Sequence, residues 1–282
     1  MEKKRKSEEE QTDSNKKLCR ENTVSVEQLR GEEQGIVVIS IDRSEARNAL
    51  DSSVVAGLQS AVREISEDRS VRCVILQSQV TGVFSAGADL KERMDMTDNA
   101  VLRYLSDLNH LISSLECLAV PVLAAVDGPA LGGGLELLLG CDLIVSSERS
   151  VFGLPETRLG VMPGGGGTVR LGHCLGWARA ARIILSGHRM SGEEAEQWGL
   201  VSRLVHHDLL ETTTRDLARD ILQSAPLALK MAKFSLQSAR YLNKAEALEL
   251  ETACYVNLLR TRDRREGLEA WNQRRAPTFT GE

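Results

Sequence analysis

The sequence predicts an α/β fold, and three observations lead there. Apolar runs of strand length recur through the first half of the chain, at 35–42 (GIVVISID), 71–77 (VRCVILQ), 121–127 (PVLAAVD) and 142–147 (DLIVSS), and the segments between them carry apolar residues at helical spacing. The runs are mostly unbroken rather than alternating, as expected of strands covered on both faces. After Thr168 the strand pattern gives way to helical periodicity alone, so a sheet-forming part is followed by a helical end.

Residues 1–30 are dense in charge of both signs and nearly free of aromatics, a composition that buries too little surface to offset ordering, so a disordered tail is expected. Its basic run Lys3-Lys4-Arg5-Lys6 fits a nuclear-localisation patch or a solvated tail. Glu8, Glu9 and Glu10 argue against a mitochondrial transit peptide, which would be poor in acids.

The first strand, 35–42, leads through Asn48-Ala49-Leu50-Asp51-Ser52 into a helix over 53–66, where Val54, Leu58, Ala61, Val62 and Ile65 share one face. The strand at 71–77 is followed by small residues at 82–92 that leave the Ala88 N–H uncrowded and bring Lys91 within reach of a phosphate. A plain strand-to-helix turn with a solvated lysine accounts for the same residues. A leucine-rich stripe at 98–118 reads as a core helix, and the strands at 121–127 and 142–147 follow. Further helices are expected over 177–185, after the Ser191–Glu194 capping box up to Gly199, and over 208–223, 226–240, 244–259 and 262–274. Such a helical end covers the core or joins subunits.

Composition bounds function. With 282 residues, 42% of them hydrophobic, the chain can bury a sizeable core, and a formal charge of -5 gives no bulk support for nucleic-acid binding. The six cysteines, Cys19, Cys73, Cys117, Cys141, Cys174 and Cys254, lack CxxC spacing, so reduced thiols in an intracellular protein are expected, without a zinc site or disulfide framework. The apolar runs near 118–126 and 135–145 are too short or interrupted to span a membrane, and no apolar leader is evident. His206-His207 reads as a solvated loop pair and not as metal ligands.

Chemistry concentrates at 127–168, where two glycine clusters bracket Glu136 and Glu156. Glu136 follows Gly132, Gly133 and Gly134 in the first turn of an apolar segment, where backbone N–H groups lack internal partners. Glu156 lies on a Leu-Pro-Glu-Thr turn before Pro163 and Gly164 to Gly167. Two carboxylates beside free amides make an acid/base site, although the same glycines could merely pack a tight turn. Neither cluster has dinucleotide or P-loop spacing.

Four stretches, FSAGADLKER at 84–93, DGPALGGGLELLLGCD at 127–142, FGLPETRLGVMPGGGGTVRL at 152–171 and TRDRREGLEAWNQRRAPTFTGE at 261–282, resemble the enoyl-CoA hydratase/isomerase, or crotonase, superfamily, in particular its branch of methylglutaconyl-CoA hydratases and enoyl-CoA hydratase domain proteins. The resemblance covers roughly 35–282. It implies a ClpP-like spiral of ββα units, here 31–205, and a helical trimerisation region, 206–282, assembled as a homotrimer or a hexamer of two trimers. It implies an oxyanion hole from the amides of Ala88 and Gly133, catalytic carboxylates Glu136 and Glu156, a water site at Gly164, and coenzyme A contacts from Asp89, Lys91 and Arg274 or Arg275. Coenzyme A would be part of the substrate, with no metal or separate cofactor needed.

Hydration of an enoyl thioester is the implied reaction, with an isomerase or another enolate-forming lyase as the alternative, since one base suffices for proton shuttling. Relatives in this branch also bind AU-rich RNA through a lysine-rich first helix. The matching 48–70 segment has no lysine and only Arg63 and Arg69, so RNA binding is expected to be absent or weak. A catalytically silent scaffold is a third possibility. Mitochondrial placement follows from the relatives alone, while the tail leaves cytosolic or nuclear placement open. Departures at Ile41-Asp42-Arg43-Ser44-Glu45 and at Thr168-Val169-Arg170 remove no catalytic group and imply altered packing near the acyl pocket.

Overall fold

The computed structural model describes residues 20–21 and 23–282. A seven-stranded sheet runs β1 (Arg20–Glu21), β2 (Val24–Gln28), β3 (Ile36–Ile41), β4 (Cys73–Ser78), β5 (Val122–Val126), β7 (Leu143–Ser147) and β10 (Arg203–Val205) in spatial order. From β3 onward all neighbours are parallel, while β1–β2 and β2–β3 are antiparallel. A smaller sheet joins β6 (Pro129–Leu131), β8 (Val151–Gly153) and β9 (Arg189–Ser191).

Side chains of the parallel strands divide between two cores, which explains their unbroken apolar runs. Val37, Ile39 and Ile41 face one layer with α1 (Ser52–Glu67) and α3 (Asp98–Glu116). Ile36, Val38, Cys73 and Ile75 face the other, covered by α8 (Leu210–Leu222). Helix starts follow the expected chemistry in part: Asp51 accepts from the Val54 amide, Ser191 from that of Glu194 at the start of α7 (Gly192–Trp198), and Gly199 ends that helix in a left-handed conformation, but the Glu194 carboxylate lies 2.8 Å from His188 Nε2 instead of closing the expected capping box.

Two expectations are corrected. Residues 24–28, placed in the charged tail, form β2 against β3, because Val24 and Val26 alternate with more exposed residues and bury their side chains; the surrounding charge masks this short period. Residues 1–19 and 22 lie outside the described part, including the basic run and Cys19. The chain beyond Thr168 is also not purely helical: β9 and β10 are three-residue strands, too short to leave a periodicity, and β10 extends the parallel sheet beside β7.

The remaining helices are α2 (Leu90–Asp95), α4 (Gly133–Leu138), α5 (Gly167–Leu175), α6 (Trp177–Ser186), α9 (Pro226–Ser238), α10 (Lys244–Leu258) and α11 (Arg262–Gln273). Among the described residues no helix is long and apolar enough to cross a membrane. Strand β5 passes through Asp127 and Gly128 into β6 and then into the glycine turn of α4, so the large sheet delivers Gly133 and Glu136 to the smaller one.

Candidate active site

Parallel bridges Leu50↔Ala88 and Ser85↔Ala130 stitch the segments after β3, β4 and β5 side by side. The flanking bonds are Leu50 N–H to Gly87 O at 2.7 Å and Asp89 N–H to Leu50 O at 3.2 Å, which leaves the N–H of Ala88 itself unused by other backbone groups. Gly87, at φ +95°, permits the approach: a β-carbon there would lie 2.7 Å from the Leu131 oxygen. Gly133 opens α4, where its N–H has no helical acceptor. The two amides adjoin, since a β-carbon on Gly133 would stand 3.7 Å from the Ala88 nitrogen.

A buried Asn48 holds this arrangement together. Its amide nitrogen donates to Ser78 Oγ at 2.7 Å and to Phe84 O at 3.0 Å, its side-chain oxygen accepts from the Arg43 amide, and its own carbonyl accepts from Ser85 Oγ. Sequence reasoning saw Asn48 only as a turn residue. Its φ of 53° is left-handed, a conformation asparagine tolerates better than most residues, so the residue type signalled the turn but not the buried bonds.

Glu136 is buried in the first turn of α4, and its Oε1 accepts from the amides of Gly165 and Gly167, each at 2.8 Å. The carbonyls of that glycine segment are gripped in turn: Asn109 Nδ2 donates to Gly164 O at 2.6 Å, and Arg170 Nη1 to Gly165 O at 3.0 Å. Arg170 is itself held by Ser113 and Glu116 of α3. Asn109 and Arg170 support the site without lining it, and spacing in one sequence does not expose them.

Glu156 faces the same space from the turn after β8. Its Oε2 is buried without a hydrogen-bond partner, and a β-carbon on Gly132 would come 2.9 Å from its Oε1. Burial, with a smaller contribution from the charge of Glu136, pushes the Glu156 carboxyl up to about 7. Burial also raises Glu136, while the two glycine amides favour its ionised form.

Ala88, Gly133, Glu136, Glu156 and Gly164 all line one cavity of about 350 Å³, together with Arg93 and apolar side chains from α2, α3 and the 159–162 segment. The four residues expected at coenzyme A do not line it. The Asp89 carboxylate caps α2 through the Lys91 and Glu92 amides and pairs with Arg43 at 2.7 Å, which holds it below the usual carboxylate range. Lys91 is exposed next to Leu90, a cavity-lining residue. Arg274 ends α11, and Arg275 forks onto Glu266 at 2.6 and 2.8 Å. His206 and His207, read as a solvated pair, have Glu148 beside them: His207 Nδ1 lies 2.7 Å from its carboxylate.

Comparison with known proteins agrees with this fold. The family model described as enoyl-CoA hydratase/isomerase matches residues 31–282. A probable mitochondrial enoyl-CoA hydratase 2 of Arabidopsis thaliana is 41% identical over 92% of this chain and 86% of its own length. The mitochondrial methylglutaconyl-CoA hydratase of Mus musculus is 39% identical over 93% and 85%. The enoyl-CoA hydratase of Bacillus anthracis superposes with a TM-score of 0.89 at 36% identity, covering 93% of this chain and all of that one. With its crotonase fold and a family match across almost the whole described chain, the protein belongs to the enoyl-CoA hydratase/isomerase family.

Proposed function

We propose that the chain adds water across the 2,3 double bond of a short or branched enoyl-CoA thioester, using Glu136 and Glu156 as a coupled acid/base pair. It is an enzyme of the hydro-lyase class. The observation that carries the specific reading is the meeting of the buried Glu136, the half-buried Glu156 and two uncommitted backbone amides in one cavity.

As water adds at C3, negative charge builds on the thioester oxygen. The amides of Ala88 and Gly133 receive that oxygen, and they are fixed in place before the reaction by the bridges on either side of Ala88 and by the start of α4. Each such donor contributes about 3 to 4 kcal/mol to the transition state. Glu136 and Glu156 orient the water between them: the ionised member takes a water proton as the oxygen attacks C3, and the protonated member delivers a proton to C2. Burial raises both carboxyls, Glu156 up to about 7, so that Glu156 is partly protonated near neutrality, while the Gly165 and Gly167 amides favour the ionised form of Glu136, the division of roles this chemistry needs. Gly164 lines the water position, and the apolar walls receive the acyl chain.

Lys91, exposed next to the cavity-lining Leu90, is available to coenzyme A phosphates, whereas Asp89 acts by capping α2. Assembly into a trimer or a pair of trimers goes with this reading, and the exposed Leu236, Leu248 and Tyr255 of α9 and α10 supply apolar surface for it. Mitochondrial placement rests on relatives whose names carry that location.

The test is a hydration assay of crotonyl-CoA, 3-methylcrotonyl-CoA and 3-methylglutaconyl-CoA with the wild type, Glu136→Gln and Glu156→Gln. Each variant should lose ~10²- to 10⁴-fold in kcat on every accepted thioester. Wild-type rates in both variants would refute the paired mechanism.

A further inference from the structure

Strand pairing brings a carboxylate to two histidines at the β10 edge of the large sheet. Val205 of β10 stands beside Ser147 of β7 in parallel register, and the Glu148 N–H donates to Val205 O at 3.0 Å, so the residue after one strand meets those after the other. Glu148 precedes His207 by 59 positions, a meeting that spacing in sequence does not expose. His206 is extended, at φ -61° and ψ 142°, whereas His207 opens a 3-10 turn over His207–Leu209 that the Leu209 N–H closes onto His206 O at 2.9 Å. Consecutive side chains of a strand point to opposite faces. This turn instead stacks the two imidazoles, with ring centroids 4.2 Å apart. We propose that Glu148, His206 and His207 bind one divalent transition-metal ion of the zinc class, with water completing its coordination.

Two imidazole nitrogens and a carboxylate oxygen are a donor set that suits such an ion. One ligand atom from each residue lies within 4.8 Å of the other two. His206 Nε2 is 3.7 Å and His207 Nδ1 2.7 Å from the same oxygen, Glu148 Oε1. An ion with bonds of about 2.0 to 2.2 Å fits between them once the shorter contact opens by about half an ångström. All three side chains are partly exposed and have room for that shift.

Asp208 stands behind both rings, 3.4 Å from His206 Nδ1 and 3.5 Å from His207 Nε2. Each imidazole therefore has one nitrogen toward Glu148 and the other toward Asp208. A carboxylate on the nitrogen opposite a metal fixes the tautomer and strengthens the ligand. The neighbouring cation, Arg149, forks onto Asp127 at 2.7 Å through two donors, which leaves Glu148 to the histidines.

None of these residues lines the catalytic cavity, so the site is independent of the hydratase reading. An ion there ties the end of β7 to the turn that starts α8, the helix covering the second core. Its effect is on stability, because a ligand held by the folded state alone raises the unfolding midpoint.

The experiment titrates ZnCl2 into the whole chain, stripped with chelator, by calorimetry, and repeats this with Glu148→Gln, with His206→Ala and His207→Ala combined, and with Asp208→Asn. The wild type should bind zinc saturably, Glu148→Gln and the double histidine variant at least ~100-fold more weakly, and Asp208→Asn roughly 10-fold more weakly. Zinc should raise the Tm of the wild type and leave that of the double variant unchanged. CoCl2 identifies the ligands without any substitution. Imidazole and carboxylate ligands give only weak visible bands, whereas ligation by the exposed Cys117 or Cys174 adds a strong thiolate charge-transfer band. No saturable zinc binding, binding that the substitutions at 148, 206 and 207 leave unchanged, or a cobalt spectrum ruled by the thiolate band overturns the proposal. The wild-type cobalt spectrum decides the site even where a variant fails to fold.

Discussion

Arg170 donates to the Gly165 carbonyl at 3.0 Å, on the same residue whose amide donates to Glu136. The guanidinium therefore fixes the peptide segment that aims the carboxylate. Its other donors reach Ser113 and Glu116 of α3, so helix and glycine segment are locked together through a single planar group. Lysine keeps the charge and loses the fork. Arg170→Lys should lower kcat for crotonyl-CoA roughly 10- to 100-fold, in line with the effect of displacing a reacting group by about 1 Å, with a smaller change in KM. A steady-state comparison checks this, and an unchanged kcat would show that the glycine segment keeps its shape unaided.

Gly132 sets the opposite carboxyl. At φ +52° and ψ -127° its backbone lies where L side chains are strained, and a β-carbon would stand 2.9 Å from Glu156 Oε1. Gly132→Ala should cost about 1 to 3 kcal/mol of stability and lower hydratase activity at least ~10-fold by displacing Glu156. Denaturant unfolding and the crotonyl-CoA assay, run on the same preparation, separate the two effects. Loss of stability with full activity would mean that Glu156 tolerates the shift.

Much of this site was legible because its parts are local. Gly132 to Gly134 and Glu136 fall within one turn of chain, and the apolar strand before them announces a buried setting, so the sequence itself places a carboxylate beside free amides. The supports were not legible: Arg170 meets Glu116 across 54 positions, and Asn48 meets Ser78 across 30, contacts that only the folded sheet creates. The strand at Val24–Gln28 was hidden for another reason. Two valines in alternation are a weak signal inside a charged stretch, and their burial depends on pairing with β3. Asp89 reads the same in sequence whether it is a free ligand or a local cap, and only the folded chain shows its side chain engaged by Arg43 and by the start of α2.

The raised Glu156 carboxyl makes stability depend on pH. An unfolded glutamate titrates near 4.5, whereas the folded one titrates near 7, so between these values the native state binds more protons than the unfolded one. Stability from this group is present below pH 4.5 and is lost as pH rises through 7. Glu156→Gln has no charge to desolvate, so its Tm should exceed that of the wild type at pH 8, and the gap should be much smaller at pH 5. Parallel thermal scans at the two pH values decide it; an equal gap at both would mean that the carboxyl is not protonated in the native state.

Lys233 joins the helical end to the strand that leads into the site. Buried on α9, its ammonium donates to Asp142 at 2.6 Å and to Val120 O at 2.9 Å, while Asp142 also accepts from the Val122 amide at the start of β5. Removing the lysine leaves the aspartate charge without its main partner, and the Val120 carbonyl without a donor. Lys233→Met should therefore destabilise the fold by about 2 kcal/mol, less than the ~3 to 5 kcal/mol of a fully buried pair because Asp142 keeps some solvent contact. Adding Asp142→Asn removes the orphaned charge while keeping an oxygen for the Val122 amide. If the pair acts electrostatically, the double variant should regain part of the loss in denaturant unfolding. A double variant less stable than the sum of the single changes would show instead that the lysine holds α9 chiefly by packing of its aliphatic stem.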